Sequence, residues 1–229
     1  MTAPSPTTSV ADLVTERPAR ARIFEQLGID YCCGGDHTLA EACRRHDLDP
    51  DTVRRMLGAV EQAAPAADAR DWSSASLGTL IDHIVDTHHA YLRRELPRLE
   101  TLLTRVLEAH GDDVDWLAPT FEVFTDLQTD LAAHMRSEEQ RVFPSIRALE
   151  THCNDALDAD GIDDMIGEHD EAGAALERLR TLTNDYSPPE GACPTFRAAL
   201  DGLNDLERDM HRHVHKENNI LFPRARTLV

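Results

Sequence analysis

Apolar residues in the second half of the chain recur at helical spacing, as in Leu80 and Ile84 and then Leu92, Leu96 and Leu99, which stand three or four apart. This stripe predicts a long helix with one buried face. Four such helices are expected, near Ser76 to Glu108, Pro119 to Glu150, Gly161 to Thr183 and Pro194 to Leu228. The breaks between them contain Gly111, Asp112-Asp113, Asp155 to Asp160 and Ser187-Pro188-Pro189. Long helices joined by modest loops predict an up-down four-helix bundle.

The first part of the chain is punctuated more closely. Short helices are expected at Val10 to Val14, Pro18 to Leu27, Thr38 to His46 and Pro50 to Gln62, with Gly28 and the Gly34-Gly35 pair as breakers. The reading is a disordered tail over 1–9, a small helical module over 10–62, a linker over 63–75 and the bundle over 76–229. Ala63 to Arg70 is rich in Ala, Pro and charge with no buried face, as a linker should be.

Composition agrees with an all-α chain: of 229 residues 41% are hydrophobic but only 5% aromatic, and no run alternates as strands do. The 42 acids against 23 bases give a net charge of -19, which disfavours nucleic acid and anionic membranes as partners. All the bases but Lys216 are arginines. No apolar run is long enough to span a bilayer, and Met1 to Ser9 lacks the basic start and apolar core of a signal peptide. Five irregularly placed cysteines do not make a disulfide framework, so a reducing cytoplasm is the expected compartment.

An internal repeat carries the candidate chemistry. His134, Glu138, Phe143 and Pro144 recur with identical spacing as His213, Glu217, Phe222 and Pro223; His89 with Leu96 recurs as His169 with Leu176. A histidine and a glutamate four apart project from one helix face. If His89 and His169 come from the other two helices at similar depth, four imidazoles and two carboxylates converge in the bundle. Buried unpaired carboxylates are costly, and a two-metal cluster with Glu138 and Glu217 bridging, together with an oxo or hydroxo group, removes that cost. About five donors per metal leave a position open for a small ligand. Nitrogen and oxygen donors without thiolate suit iron or manganese; ligand type alone leaves di-manganese and di-zinc open.

The other histidines are expected off the ligand stripe. His211 and His215 lie two residues either side of His213, about 200 degrees around the helix, so a surface position is expected for both. His83 and His88 point away from the His89 direction, while His110, His152, His37 and His46 fall near loops or in the first module. Pro97, Pro144 and Pro223 should release the carbonyls of Arg93, Gln140 and Asn219 and kink their helices. Glu168 and Asp130 are candidates for holding ligand histidines or lining an access path, with a solvated role equally open.

Cys32-Cys33 precedes Thr38-Leu39-Ala40-Glu41, a capping-box match that opens a helix. A helix N-terminus aimed at the pair would favour a thiolate and fit redox or metal transfer; two small cysteines filling a turn is the alternative. Cys43, Cys153 and Cys193 read as packing or incidental residues.

These segments together resemble the iron-sulfur cluster repair di-iron proteins, the repair of iron centres family, over nearly the whole chain. The likeness rests on Asp30-Tyr31-Cys32-Cys33-Gly34-Gly35, His134-Met135 with Glu138-Glu139 and Phe143-Pro144, Glu168-His169-Asp170-Glu171-Ala172-Gly173, and Glu217-Asn218-Asn219-Ile220-Leu221-Phe222-Pro223. Asp130 stands where that family is expected to carry Glu. The resemblance implies a hemerythrin-like bundle with two irons on His89, His134, Glu138, His169, His213 and Glu217, and a role in restoring clusters damaged by nitric oxide or peroxide. Damaged iron-sulfur proteins would be the partners, with an electron donor and nitric oxide or oxygen as small ligands; a homodimer is compatible with it. Nitric oxide reduction at a diferrous site and reversible oxygen or nitric oxide binding are the competing functions.

Overall fold

A computed structural model of the chain describes residues 4–60, 70–151 and 157–228. Their β pairing is limited to a single isolated bridge between Ser9 and Thr38. Contacts divide the chain into two units that differ from the expected domains: Met1–Leu80 together with His211–Val229, and Ile81–Met210.

In the first unit, α1 (Val10–Glu16) starts where the Ser9 hydroxyl accepts the Asp12 amide. A 3-10 turn at Pro18–Arg20 leads into α2 (Ala21–Leu27), which Gly28 ends at φ 67°, a left-handed conformation open to glycine. The expected capping box forms at α3 (Leu39–Arg45): Thr38 accepts the Glu41 amide and the Glu41 carboxylate accepts the Thr38 amide. With α4 (Pro50–Val60), these helices close over a core of Leu13, Phe24, Ile29, Tyr31, Leu39 and Leu57.

Two expectations need correction here. Residues 4–9 are not a disordered tail: the carbonyls of Thr8 and Pro6 accept the amides of Leu39 and Ala40, the first two of α3, which no carbonyl within the helix can reach. Their small, Pro-containing composition reads as disorder, but the backbone is what they contribute. Nor does the expected linker run free to residue 75. Trp72 is buried, and the Arg224 guanidinium donates to the carbonyls of Trp72 and Ala75. Residues 1–3 of the expected tail, 61–62 of the expected module and 63–69 of the expected linker lie outside the described residues, as do His152 and Cys153.

The long helices appear near their expected limits, but three are interrupted. The first comprises α5 (Leu77–His83), a π-helical turn at Ile84–His89 and α6 (Ala90–His110). The second comprises α7 (Leu117–Ser137), a π turn at Glu138–Val142 and α8 (Phe143–Thr151). The third, α9 (Ala159–Leu182), is continuous. The fourth, α10 (Pro194–Lys216), is followed by a π turn at Glu217–Leu221 and by α11 (Phe222–Arg226). Within Ile81–Met210 four helical runs pack into a bundle, with α7 against α6 and α9. Gly202 on α10 permits close approach to α6, since a Cβ there would meet Leu99 Cδ2 at 2.5 Å.

The Phe-Pro repeat explains two of the π turns. The amides of Phe143 and Phe222 donate five residues back, to the carbonyls of Glu138 and Glu217. Pro144 and Pro223 follow directly and lack the N–H that would resume the α pattern, so a widened turn stands where a kink is expected. Pro97, by contrast, sits within uninterrupted α6.

Candidate metal centre

In the Ile81–Met210 unit, His89, His134, Glu138 and His169 are all buried. Glu138 lies at the start of its π turn with both oxygens enclosed, and neither accepts a hydrogen bond among the described residues. Its nearest nitrogens are His89 Nε2 at 3.2 Å and His134 Nε2 at 3.4 Å. His169 Nε2 lies 3.0 Å from His134 Nε2. His134, Glu138 and His169 each offer a ligand atom within 4.8 Å of the others. A buried carboxylate ringed by imidazole nitrogens but without a hydrogen bond fits a bound cation in charge and donor type.

Two further carboxylates fix which nitrogen faces inward. Glu139 accepts from His89 Nδ1 at 2.7 Å and from Arg93 Nη2 at 2.7 Å, and Glu168 accepts from His134 Nδ1 at 2.7 Å. With the proton on Nδ1, each ring presents its Nε2 lone pair toward Glu138. Burial opposes ionisation of Glu139, but the bonds from His89 and Arg93 outweigh it and hold the carboxyl below its ordinary range. The His89 ring also stacks on Phe143, centroids 5.8 Å apart, which gives the repeated phenylalanine a positioning role.

Glu168 thus lies against the outer nitrogen of His134. Asp130 is exposed and lines, with Glu168 and Glu171, a cavity of about 190 Å³ that reaches His134 and His169. Glu139 was not among the expected residues, and neither was Asp209, which accepts from buried His88 at 2.9 Å. The doubled acid Glu138-Glu139 was the available signal for the first.

In the other unit, His213 and Glu217 are buried one turn apart, with His213 Nε2 3.1 Å from Glu217 Oε1. His215 is not at the surface: its Nδ1 lies 3.3 Å from the Tyr31 carbonyl and its ring meets Tyr31 edge-on at 5.4 Å. Burial is the main cause that lowers its pKa to about 4; the Tyr31 carbonyl opposes that shift and the Lys216 charge adds to it. His211 is half-buried against the same tyrosine.

The Cys pair sits in a loop organised by Asp30, whose carboxylate accepts from the amides of Cys32 (2.8 Å), Cys33 (3.1 Å) and Gly34 (2.8 Å) and from the Cys32 thiol (3.1 Å). Partial desolvation raises the Asp30 pKa, but these bonds outweigh it and the carboxyl is held low. Cys32 and Cys33 are free thiols with sulfurs 3.7 Å apart. The hydrogen bond with Cys33, then burial, then the Asp30 charge push the Cys32 thiol well above 9.0. A helix-favoured thiolate is therefore not what stands at Cys32; a carboxylate faces it instead. The two glycines also serve the chain itself, since a Cβ on Gly35 would strike the Tyr31 carbonyl oxygen at 2.6 Å and Ala11 Cβ at 2.7 Å. Cys43 is buried in the core, and Cys193 lies 3.6 Å from His110.

Comparison with known proteins gives two family matches: a Hemerythrin HHE cation binding domain over residues 80–225, and a Domain of Unknown function (DUF542) over residues 6–61. An iron-sulfur cluster repair protein YtfE from Pectobacterium atrosepticum is 37% identical over 217 residues, 95% of this chain and 96% of the relative. Proteins of the same name from Salmonella paratyphi B and Salmonella newport are 36% identical over 217 residues, 94% of this chain and 95% of each relative.

Proposed function

The chain belongs to the hemerythrin-domain family of iron-sulfur cluster repair proteins, and from that premise we propose that it restores damaged iron-sulfur clusters through a di-iron centre. His89, His134, His169 and His213 would hold the two irons as nitrogen ligands, with Glu138 and Glu217 bridging. The observation that carries this reading is Glu138, a buried carboxylate with no hydrogen bond, flanked by imidazole nitrogens at 3.2 and 3.4 Å. The twofold repeat supports an equivalent role for His213 and Glu217, buried and 3.1 Å apart.

When bound, the irons supply Lewis acidity, one-electron chemistry and the metal that a depleted cluster lacks. The protein's own groups set the terms. Glu139 and Glu168 retain the Nδ1 protons of His89 and His134, which keeps Nε2 as the donor and strengthens it. The cavity lined by Asp130, Glu168 and Glu171 carries three carboxylates, a lining that favours passage of a cation. Cys32, bonded to Asp30, would take part with Cys33 in transfer of metal to the client. The expected division is carried forward in the same sense: a Cys-Cys module over 10–62 and a metal-binding bundle over 76–229.

Iron-loaded diferrous protein incubated with a nitrosylated cluster enzyme is expected to restore that enzyme's activity. Glu138→Gln with Glu217→Gln should lose most of roughly two irons per chain and the restoring activity together. A double variant that keeps its iron overturns the ligand assignment, and a loaded protein that consumes nitric oxide while its client stays inactive overturns repair.

A further inference from the structure

In the unit formed by Met1–Leu80 and His211–Val229, the loop between α2 and α3 brings a carboxylate and two sulfurs together. A ligand atom from each of Asp30, Cys32 and Cys33 lies within 4.8 Å of the others. Cys32 Sγ stands 3.7 Å from Cys33 Sγ and 3.1 Å from Asp30 Oδ1. Turn formation accounts for the carboxylate, which accepts three backbone amides, but it gives no reason for the two sulfurs. A tetrahedral ion with metal–sulfur bonds of about 2.3 Å separates its two sulfurs by about 3.8 Å, close to the spacing found. The loop is held from outside the cluster. Asn219 Nδ2 donates to the Cys32 carbonyl at 3.0 Å, the Gly35 carbonyl accepts the Ala11 amide at 3.0 Å, and Gly35 has no room for a Cβ. Asp30 is exposed and Cys33 half-buried, so an incoming ion reaches the donors without unfolding the loop.

We propose that Asp30, Cys32 and Cys33 form a mononuclear site for a thiophilic divalent ion, separate from the repeated His and Glu residues. Two sulfurs and one oxygen select zinc, cobalt or ferrous iron over magnesium or calcium. Both sulfurs bind as thiolates; the proton that Cys32 donates to Asp30, and any on Cys33, passes to solvent as the ion bonds to the two sulfurs and the carboxylate. Three protein donors leave a fourth tetrahedral position, which a thiolate of the client can take. The site deepens the repair reading and rests on it for the identity of the ion: there it holds one ferrous ion in transit to the client.

Cobalt(II) added anaerobically to full-length, iron-loaded protein reads sulfur ligation apart from the His and Glu set, because thiolate-to-cobalt charge transfer in the near ultraviolet requires sulfur ligands. The band is expected to saturate at about one cobalt per chain, to be displaced by zinc and to persist in excess magnesium. Cys32→Ser and Cys33→Ser should each weaken cobalt binding at least about tenfold and diminish the band. Asp30→Asn should weaken binding at least about tenfold with the band retained, and Cys193→Ser should leave it unchanged. A wild type without the band, a band undiminished in Cys33→Ser, loss of the band in Cys193→Ser, displacement by magnesium, or wild-type affinity in Asp30→Asn would each overturn the proposal. If Cys32→Ser fails to fold, the Cys33→Ser titration decides. No client is present, so the outcome is independent of the restoration assay.

Discussion

Glu138 and Glu139 are neighbours about 100 degrees apart around one helix, and that rotation gives them different chemistry. Glu138 turns inward without a hydrogen bond, while Glu139 holds the far side of the His89 ring. Glu168 does the same for His134, so its charge should matter for metal affinity. Glu168→Gln keeps an acceptor oxygen but loses the charge; chelator competition should show iron binding weakened by roughly 10- to 100-fold with the fold intact. Wild-type affinity in that variant would remove Glu168 from the site. The Cys32 thiol, pushed up by its bond with Cys33, burial and Asp30, should react with iodoacetamide at pH 8 more slowly than cysteine in the urea-unfolded chain. Peptide mass spectrometry reads the rate, and equal rates would mean that the Asp30 loop does not protect it. The six repeated His and Glu positions were legible because duplication marks them out. Glu139 was not, since pairing it with His89 requires knowing which helices are neighbours. His215 was misread for a related reason: a helical wheel places it opposite His213 but does not say that Tyr31 covers that face.

Among the elements, helix limits followed from caps and breakers: Ser9, Thr38 with Glu41, and Gly28 lie where local side-chain chemistry alone ends or begins a helix. The π turns were not legible. A proline forecasts a lost hydrogen bond, but whether the helix bends or widens depends on what its buried residues must face. Glu138 and Glu217 open two of these turns and His89 closes the third, so widened backbone coincides with candidate ligands. Close packing explains Gly35, because α1 approaches it too nearly for a side chain. Gly35→Ala should destabilise the protein by about 1–3 kcal/mol in urea unfolding. A loss under about 0.5 kcal/mol would show that α1 shifts freely.

For the molecule as a whole, the metal is expected to be part of its stability. Ligand binding at a hundredfold excess over Kd adds about 2.7 kcal/mol, which in a chain of this size raises Tm by roughly 5–10 °C. Anaerobic chelation should therefore lower Tm by about that amount, with recovery on adding ferrous iron; an unchanged Tm would mean that Glu138 is not compensated by metal. The all-helical architecture, the acidic charge and the repeated His and Glu pattern that marks candidate ligands were determined by the sequence itself, because periodicity, composition and spacing are properties of the linear chain. Only the tertiary structure decided that residues 4–9 satisfy α3, that Glu139 and Glu168 orient the imidazoles, and that Tyr31 covers His215. Each of these depends on residues distant in sequence or on backbone groups common to every residue, and neither leaves a pattern in a one-dimensional string.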